Sequence, residues 1–346
     1  MDFNSYLDKA NDILSKDIVI DGRVIPVKYV AGAAGAVVGL SALKTYFNGA
    51  TNNSKKRLDG KTALITGAND GIGKETAIDL AKRGATVIIA CRSSEKSNKA
   101  LAEIRRASNN NNVFLESIDL SDLDTVKAFA NRYLESGRPI HILINNAGIM
   151  ALPVRKESKQ GYELQFATNH LAHFLLTELL LPVIKKSAPA RIINLSSRAM
   201  YNGVIHFDDI QLKKNYQNWK SYHQSKLANV LYSGYLAREL KGSGVFVAAV
   251  HPGVVRTSLS RYMTEGFFYK AAAVAIYPPL YLVTKSPKQG AQTTLYVATS
   301  DKMNNSNSGE YWADCRVLHG KNKYQHDKVV EDNLIAVSKE LVAKWL

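Results

Sequence analysis

The chain has 346 residues, 46% of them hydrophobic, which suffices for one large α/β domain or two smaller ones with a substantial core. Two cysteines are too few for a disulfide framework, so Cys91, beside an apparent strand, and Cys315, in a late one, are expected to be reduced, packed thiols. Lysine and arginine exceed the acids by 15, but they are scattered and no nucleic-acid motif accompanies them, which favours a solvated surface over a nucleic-acid partner.

An uncharged run from Tyr29 to Leu43 is the membrane candidate of this sequence. Its fifteen residues fall short of the roughly 20 that span a bilayer. The flanking Lys28 and Lys44 can snorkel, however, and residues 45–47 extend the apolar surface. We therefore favour a membrane anchor, and the alternative is a helix docked on the protein's own surface.

The stretch Ala50–Gly60 is polar and indicates a linker, so we expect an N-terminal extension of residues 1–57 and a catalytic domain of residues 58–346. Acidic residues precede the apolar run and argue against a signal peptide or a mitochondrial presequence. The basic residues after the run predict a cytosolic catalytic side, on the endoplasmic reticulum, a lipid droplet or a mitochondrial membrane.

A glycine turn, residues 66–73, follows the apolar run 63–65 and opens a helical pattern over 74–81. Strand, glycine turn and helix in this order are typical of a dinucleotide site, where the first helical N–H groups face a pyrophosphate. An ordinary βα turn is the alternative. The expected cofactor contacts are Gly67, Asn69, Gly71, Ile72 and Gly73.

A second buried strand, Thr86–Ala90, leads to Arg92, where an NAD-specific site would usually carry a carboxylate. A guanidinium suits a 2′-phosphate, so Arg92 favours NADP(H), although an exposed arginine at a strand end is common. Asp70 would repel that phosphate if its side chain points towards it.

A third strand is predicted over Val113–Leu120, with Asp119 and Leu120 as cofactor contacts. Asp119 would either meet the adenine amino group or cap the helix that follows Ser121. A fourth strand, Ile140–Ile144, leads to three further contacts, namely Asn146, Ala147 and Gly148. Strands alternating with helices predict a doubly wound parallel sheet of Rossmann type, with its ligands at the carboxyl ends of the strands.

A strand over Arg191–Leu195 ends in Ser196 and Ser197, whose hydroxyls could bind a substrate oxygen or cap a turn. Tyr222 and Lys226 are four residues apart on a helix predicted to reach about Lys241. A nearby ammonium would lower the pKa of the phenol and favour proton exchange with a carbonyl or alcohol oxygen. A Tyr/Lys pair at this spacing also commonly lies on a helix without any catalytic role.

In their order along the chain, these motifs resemble those of the short-chain dehydrogenase/reductases, and more closely their retinol-dehydrogenase-like branch, over about residues 58–320. The matching motifs are Thr66-Gly67-x-x-x-Gly71-x-Gly73, Asn145-Asn146-Ala147-Gly148, Asn169-His170-Leu171-Ala172-His173-Phe174, Leu195-Ser196-Ser197, Tyr222-x-x-x-Lys226 and His251-Pro252-Gly253-Val254-Val255-Arg256-Thr257.

The resemblance implies a role for each catalytic residue. Tyr222 would be the acid/base and Ser197 would hold the reacting oxygen. Lys226 would lower the tyrosine pKa and hold the nicotinamide ribose, and Asn169 would anchor a water in the proton relay. The resemblance also implies nicotinamide contacts at Pro252, Gly253, Val255 and Thr257. Arg198 and Asp70 stand where this branch more often has an apolar and a small polar residue.

An aromatic stretch interrupted by proline, within residues 260–285, resembles the substrate lid of this family. By composition alone, it could also touch a membrane or be buried. A last strand is predicted over Ser308–Trp312 and an amphipathic helix in the tail that ends at Leu346. The sequence contains no metal-ligand cluster, and most histidines are expected to be structural or on the surface.

The leading hypothesis is therefore a membrane-anchored, NADP(H)-dependent oxidoreductase that reduces a lipophilic carbonyl, with retinaldehyde or a similar lipid aldehyde as substrate. A steroid ketone is the alternative substrate. The rival function is a cofactor-binding scaffold or redox sensor without turnover. A homo-oligomer is compatible with either function.

Overall fold

Strand β1 (Asp17–Ile20) pairs antiparallel with β2 (Arg23–Pro26), and helix α1 (Val27–Asn48) follows directly. This computed structural model describes residues 9–10, 12–20, 23–259, 281–319 and 322–346. Within those residues, α1 is the one helix long and apolar enough to cross a membrane, and its apolar window is not buried against the protein.

An eight-stranded sheet forms the centre of the molecule. Its strands are β3 (Thr62–Thr66), β4 (Thr86–Cys91), β5 (Val113–Ser117), β6 (Ile142–Asn145), β7 (Ala190–Leu195), β8 (Val245–His251), β9 (Tyr311–Ala313) and β10 (Arg316–Val317). The order across the sheet is β10-β9-β8-β7-β6-β3-β4-β5, and only the β9/β10 pair is antiparallel. The chain direction across the sheet reverses between β3 and β6, where such sheets bind their ligands.

Helices cover both faces of this sheet. They are α2 (Gly71–Lys82), α3 (Glu95–Ser108), α4 (Leu123–Glu135), α5 (Leu164–Phe166), α6 (Ala172–Lys186), α7 (Asn218–Glu239), α8 (Pro287–Gly290), α9 (Gln292–Thr299) and α10 (Lys328–Val342). A π-helical turn, Ala167–Leu171, joins α5 to α6. Short 3₁₀ helices occupy Arg198–Asn202, Phe207–Asp209 and Ala343–Trp345.

The two faces of the sheet bury separate hydrophobic cores. Along β3, Leu64 packs into the core shared with α4, α6, α7 and α10, whereas Ala63 and Ile65 pack into the core shared with α2 and α9. This alternation follows from the two-residue repeat of a strand. The predicted doubly wound parallel sheet is confirmed.

Four predicted boundaries need correction. The third strand ends at Ser117, because residues 118–122 turn into α4. The last predicted strand lies at Tyr311–Ala313, and it is followed by the antiparallel β10 that the sequence pattern did not indicate. Cys315 lies in the turn between these two strands, with φ +56°, and not in a strand. Helix α7 ends at Glu239.

The predicted linker packs on the helices of the sheet. The Asn52 N–H donates to Gln292 Oε1 on α9 (3.0 Å), and Arg83 Nη1 donates to the Ser54 carbonyl (2.7 Å). Residues 260–280 of the predicted lid lie outside the described residues, and residues 281–285 are described.

His170 is buried between α6 and α10. Its Nε2 lies 2.9 Å from Ser338 Oγ, and its ring is 5.1 Å from that of Phe166. Burial lowers the pKa of His170 to about 3 and that of His173 to about 4, so both rings are neutral in the folded protein. Unfolded histidines bind protons below about pH 6.5.

Acid should therefore destabilise the fold, because the unfolded state binds these protons first. Between about pH 6.5 and 4, each such histidine adds up to about 1.4 kcal/mol per pH unit to the slope of unfolding free energy against pH. His170→Phe should remove one such contribution in denaturant titrations. Phe166→Leu changes a ring that packs beside His170 but no titratable group, so it is the control and should leave the slope unchanged. Identical slopes in all three proteins would contradict this assignment.

Candidate active site

The glycine turn packs closely against the residues that follow β6. Gly67 has φ +66°, and a Cβ built on it would lie 2.9 Å from Ala147 Cα. A Cβ on Gly73 would lie 2.7 Å from the Gly67 carbonyl oxygen. Ile72 packs against the core beneath the turn. Neither Gly67 nor Gly73 could carry a side chain here, and a tight turn of this kind before a helix is what a pyrophosphate site needs.

Thr66, the last residue of β3, connects this turn to the neighbouring strand. Its Oγ1 accepts the N–H groups of Asn146 (2.9 Å) and Ala147 (3.1 Å), and it lies 2.8 Å from His173 Nε2. Asn146 Nδ2 donates to the Thr66 carbonyl (2.8 Å). Thr66 and His173 belong to the matching motifs, but no individual role was predicted for either residue. The one local signal was a threonine directly before the first glycine.

Arg92 follows β4 at the same edge of the sheet. Its carbonyl accepts Ser97 Oγ (2.7 Å), and Asn69 Nδ2 donates to the same Ser97 oxygen (3.1 Å). Ser97 therefore holds the glycine turn beside Arg92. The Arg92 side chain is exposed, and no carboxylate of the described residues forms an ion pair with it.

Asp70 is held by partners that the sequence did not reveal. One carboxylate oxygen accepts the Gly71 N–H (2.7 Å), and the other accepts Lys96 Nζ (2.6 Å) and Ser258 Oγ (2.6 Å). Burial opposes ionisation, but these donors outweigh it and keep the pKa of Asp70 below its ordinary value. Its negative charge therefore faces Lys96, which reduces the expected repulsion of a 2′-phosphate.

Asp119 and Leu120 lie after β5 at the same edge of the sheet. The Asp119 carboxylate accepts the N–H (2.9 Å) and the hydroxyl (2.7 Å) of Ser121, and Leu120 is buried. The N-cap of α4 is Asp122, whose carboxylate accepts the Asp124 N–H (3.0 Å). The capping alternative for Asp119 is therefore wrong.

Tyr222 and Lys226 lie one turn apart on α7, which packs against the carboxyl end of β7. Lys226 Nζ donates to the Leu195 carbonyl (3.1 Å), and Ser196 Oγ donates to the Lys226 carbonyl (2.7 Å). Ser197, the second residue after this strand, lies near enough to the Tyr222 side chain to act on its pKa. Strand and helix thus bring a hydroxyl, a phenol and an ammonium together.

Ser197 also has the second role considered for it. Its Oγ accepts the Ala199 N–H (3.2 Å), and it caps the 3₁₀ helix that begins at Arg198. This cap fixes the rotamer of the hydroxyl beside Tyr222.

Burial determines the protonation of the Tyr222 and Lys226 pair. It raises the pKa of Tyr222 to about 12, against the opposing effect of the Ser197 hydrogen bond, and it lowers the pKa of Lys226 to about 8. Burial thus outweighs the lowering of the phenol pKa that was predicted from Lys226. Lys226 Nζ donates to the Leu195 carbonyl and stands 5.7 Å from the centroid of the Tyr222 ring, so desolvation dominates and the phenol stays protonated.

Asn169 lies in the π turn, a distortion that is frequent at functional sites. Its amide donates to the Ile149 carbonyl (2.9 Å) and to Ser225 Oγ (3.0 Å), and its oxygen accepts the Ile149 N–H (2.9 Å). A Cβ on Gly148 would lie 3.2 Å from the Asn169 oxygen and 3.6 Å from Lys226 Nζ. The asparagine, the glycine and the lysine therefore meet in one small volume.

The segment after β8 closes the cleft from the other side. Val255 forms a parallel bridge with Lys285, and a Cβ on Gly71 would lie 2.9 Å from Thr257 Cγ2. The glycine turn and this segment are therefore neighbours across the cleft. The predicted contacts in this segment are Pro252, Gly253, Val255 and Thr257.

Chemically, this arrangement can protonate an oxygen that is bound beside Ser197 and Tyr222. Hydroxyl and phenol are hydrogen-bond donors for such an oxygen, and the ammonium can stabilise the charge left when the phenol gives up its proton. Among the described residues, no group of three histidine, cysteine or acidic side chains is arranged to hold a metal ion.

The chain is similar to known proteins over most of its length. Residues 61–266 match the family described as short chain dehydrogenase. Retinol dehydrogenase 12 of Mus musculus is 42% identical over 305 residues, 88% of this chain and 93% of the relative. An uncharacterized protein from Mycobacterium paratuberculosis has a similar structure, with a TM-score of 0.66, 31% identity, and coverage of 85% of this chain and 98% of that one. The NADP active-site complex of RhlG from Pseudomonas aeruginosa has a TM-score of 0.57 and 26% identity over 74% of this chain and 94% of its own.

The structural role of the Thr66 hydroxyl can be tested without a substrate. Thr66→Val should destabilise the fold by about 1–3 kcal/mol, because two backbone N–H groups lose their acceptor. Thr66→Ser keeps the oxygen and should retain most of the stability. Unfolding free energies from urea titration measure both effects, and a Val variant as stable as the Ser variant would rule out this hydroxyl as the link.

Proposed function

Because this chain belongs to the short-chain dehydrogenase family, we propose that it reduces a lipophilic carbonyl with NADPH at a membrane surface. Family membership makes the chain a nicotinamide-dependent oxidoreductase that interconverts CH–OH and C=O groups. The preference for NADP(H), the direction of the reaction, the substrate and the membrane are parts of the proposal.

The buried Tyr222 phenol, with Lys226 Nζ 5.7 Å from its ring centroid, is the observation that carries the proposed reaction. A carbonyl oxygen needs a proton as its carbon accepts hydride, and a phenol whose pKa is raised to about 12 holds that proton throughout the physiological range. Ser197 would donate to the same oxygen, and the Lys226 ammonium would stabilise the tyrosinate as it forms. The same groups would catalyse alcohol oxidation in reverse, so the proposed direction rests on the proposed use of NADPH.

The glycine turn would hold the pyrophosphate, and Lys226 would hold the nicotinamide ribose. Asn169 would anchor a water that returns a proton to Tyr222. When bound, the nicotinamide supplies the hydride. Support for NADP(H) comes from the exposed Arg92, which forms no ion pair within the described ranges, and from the balance of the Asp70 charge by Lys96. The remaining cofactor contacts that we propose are Asp119, Leu120, Asn146, Ala147, Gly148, Pro252, Gly253, Val255 and Thr257.

Support for the membrane comes from α1. Its 22 residues give a length of about 33 Å, close to the roughly 30 Å of a bilayer's hydrocarbon core. The helix exposes apolar side chains such as Val37, Val38 and Leu40. We propose that residues 1–57 anchor the chain, that residues 58–346 face the cytosol, and that a lipophilic substrate comes from the same bilayer. Retinaldehyde is the substrate we propose first, since the mouse relative is named a retinol dehydrogenase.

Replacing the phenol tests turnover itself. Tyr222→Phe should lower kcat for carbonyl reduction by about 10²-fold or more, the usual scale of acid–base catalysis, with NADPH affinity unchanged. Stopped-flow turnover and fluorescence titration of NADPH give the two quantities. If the wild type binds NADPH but reduces no aldehyde, ketone or retinoid, the rival function, a silent scaffold or redox sensor, replaces this one.

Two substitutions that change the charge in opposite directions test the cofactor preference. Arg92→Ala should reduce the preference for NADPH over NADH by about 1–3 kcal/mol, because a charged partner of the 2′-phosphate is lost. Asp70→Asn keeps an oxygen for the Gly71 N–H but removes a negative charge, so it should increase the preference. The ratio of kcat/KM with NADPH to kcat/KM with NADH measures this preference. Equal kcat/KM values with NADPH and with NADH in the wild type would contradict the NADP(H) assignment.

A series of n-alkanals tests the substrate class. Each methylene that becomes buried contributes about 0.8 kcal/mol, so kcat/KM should rise roughly fourfold per carbon until the pocket is full. Retinaldehyde and a steroid ketone, each in liposomes, would separate the two proposed substrate types. A kcat/KM that does not change with chain length, or a preference for a small hydrophilic carbonyl, would contradict the proposal of a lipophilic substrate.

A further inference from the structure

The carboxyl end of α1 contacts residues more than 230 positions away in the sequence. Lys44 Nζ donates to the carbonyl oxygens of Tyr281 (2.6 Å) and Thr284 (2.5 Å). The same ammonium lies 4.7 Å from the centroid of the Tyr281 ring, within cation–π range. One lysine of the proposed anchor thus binds two backbone carbonyls of the catalytic domain.

Arg256, in the segment proposed to flank the nicotinamide, binds the same two carbonyls. Its Nη1 donates to Tyr281 (3.2 Å) and to Thr284 (2.7 Å), and its guanidinium lies 4.5 Å from the Tyr281 ring centroid. Lys44 and Arg256 repel one another, so the carbonyl dipoles and the ring must offset that repulsion. Residues 281–284 therefore link the two cations.

The next residue, Lys285, connects residues 281–284 to the 252–257 segment. Its N–H donates to the Val254 carbonyl (2.7 Å), and its carbonyl accepts the Arg256 N–H (3.0 Å). Its buried ammonium pairs with Asp314 (2.5 Å), and a Cβ on Gly253 would lie 2.7 Å from its Cδ. Lys285 thus packs beneath the 252–257 segment and supports it.

The chain just after α1 packs on the same ion pair. A Cβ built on Gly49, which has φ +70°, would lie 2.8 Å from Lys285 Nζ. Any side chain at Gly49 would therefore displace the Lys285–Asp314 pair. The end of the N-terminal helix and the 252–257 segment share one buried support.

We propose that Lys44 is a positioning residue of the active site, through which the N-terminal helix fixes residues 281–285 and hence the 252–257 segment beneath the nicotinamide. The effect on turnover rests on the proposed function. The helix is then more than an anchor, because its last turn supports residues 281–285 behind the catalytic cleft.

Three full-length variants in liposomes test this role. Lys44→Met keeps the length of the side chain but loses the donor, Lys44→Arg restores a donor, and Lys28→Met makes the same charge change at the far end of α1. Hydrogen exchange at the Lys285 and Arg256 amides, which form the bridge, is the readout that needs no turnover.

Lys44→Met should accelerate exchange at these two amides by about tenfold or more and lower kcat/KM for carbonyl reduction by about tenfold, the effect expected when a charged donor is lost. Lys44→Arg should recover most of both effects. Lys28→Met should match the wild type, and all four proteins should stay in the membrane pellet.

Unchanged exchange in Lys44→Met, or the same acceleration in Lys28→Met, would overturn the positioning role. If the wild type reduces no carbonyl while Lys44→Met still accelerates exchange and Lys44→Arg restores it, the proposed function fails and the positioning role stands.

Discussion

The packing of α7 against the end of β7 is the constraint on which the site depends. It buries Tyr222 and Lys226 almost completely, and the Leu195 carbonyl accepts hydrogen bonds from both Lys226 Nζ (3.1 Å) and Asn229 Nδ2 (3.0 Å). Burial removes water from both groups, so each favours its neutral form. The Tyr222 phenol, our proposed proton donor, therefore keeps its proton, and Lys226 is a cation close to its titration point.

The parallel sheet gathers the other parts of the site at one edge. The glycine turn follows β3, Arg92 follows β4, and Gly148 lies just beyond β6, so consecutive positions across the sheet supply them. Thr66 joins two of these loops through its hydroxyl, and the π turn brings Asn169 to Ile149. Strand order thus assembles the candidate site, and the contact between α7 and β7 buries Tyr222, the proposed proton donor.

Local patterns in the sequence predicted much of this arrangement. The glycine turn, the buried strands and the four-residue spacing of Tyr222 and Lys226 are short-range features, and each lies in the predicted type of element. Other features depend on contacts between distant residues. Asp70 meets Ser258 from 188 positions away, and Lys44 meets Thr284 from 240. The direction of the Tyr222 pKa shift also depends on burial, which a helical spacing does not specify.

The pH dependence of kcat/KM for carbonyl reduction, measured in wild type and in Lys226→Met, tests the protonated Tyr222 donor most directly. Lys226, with a pKa of about 8, is charged below that pH, so activity should be highest there and fall through about pH 8 as the ammonium is lost. Tyr222 should not titrate below about pH 12, and the variant should be slow without this inflection. Activity that instead rises from acid towards a group of pKa 6 to 7 would show that tyrosinate is the active form, contradicting the account.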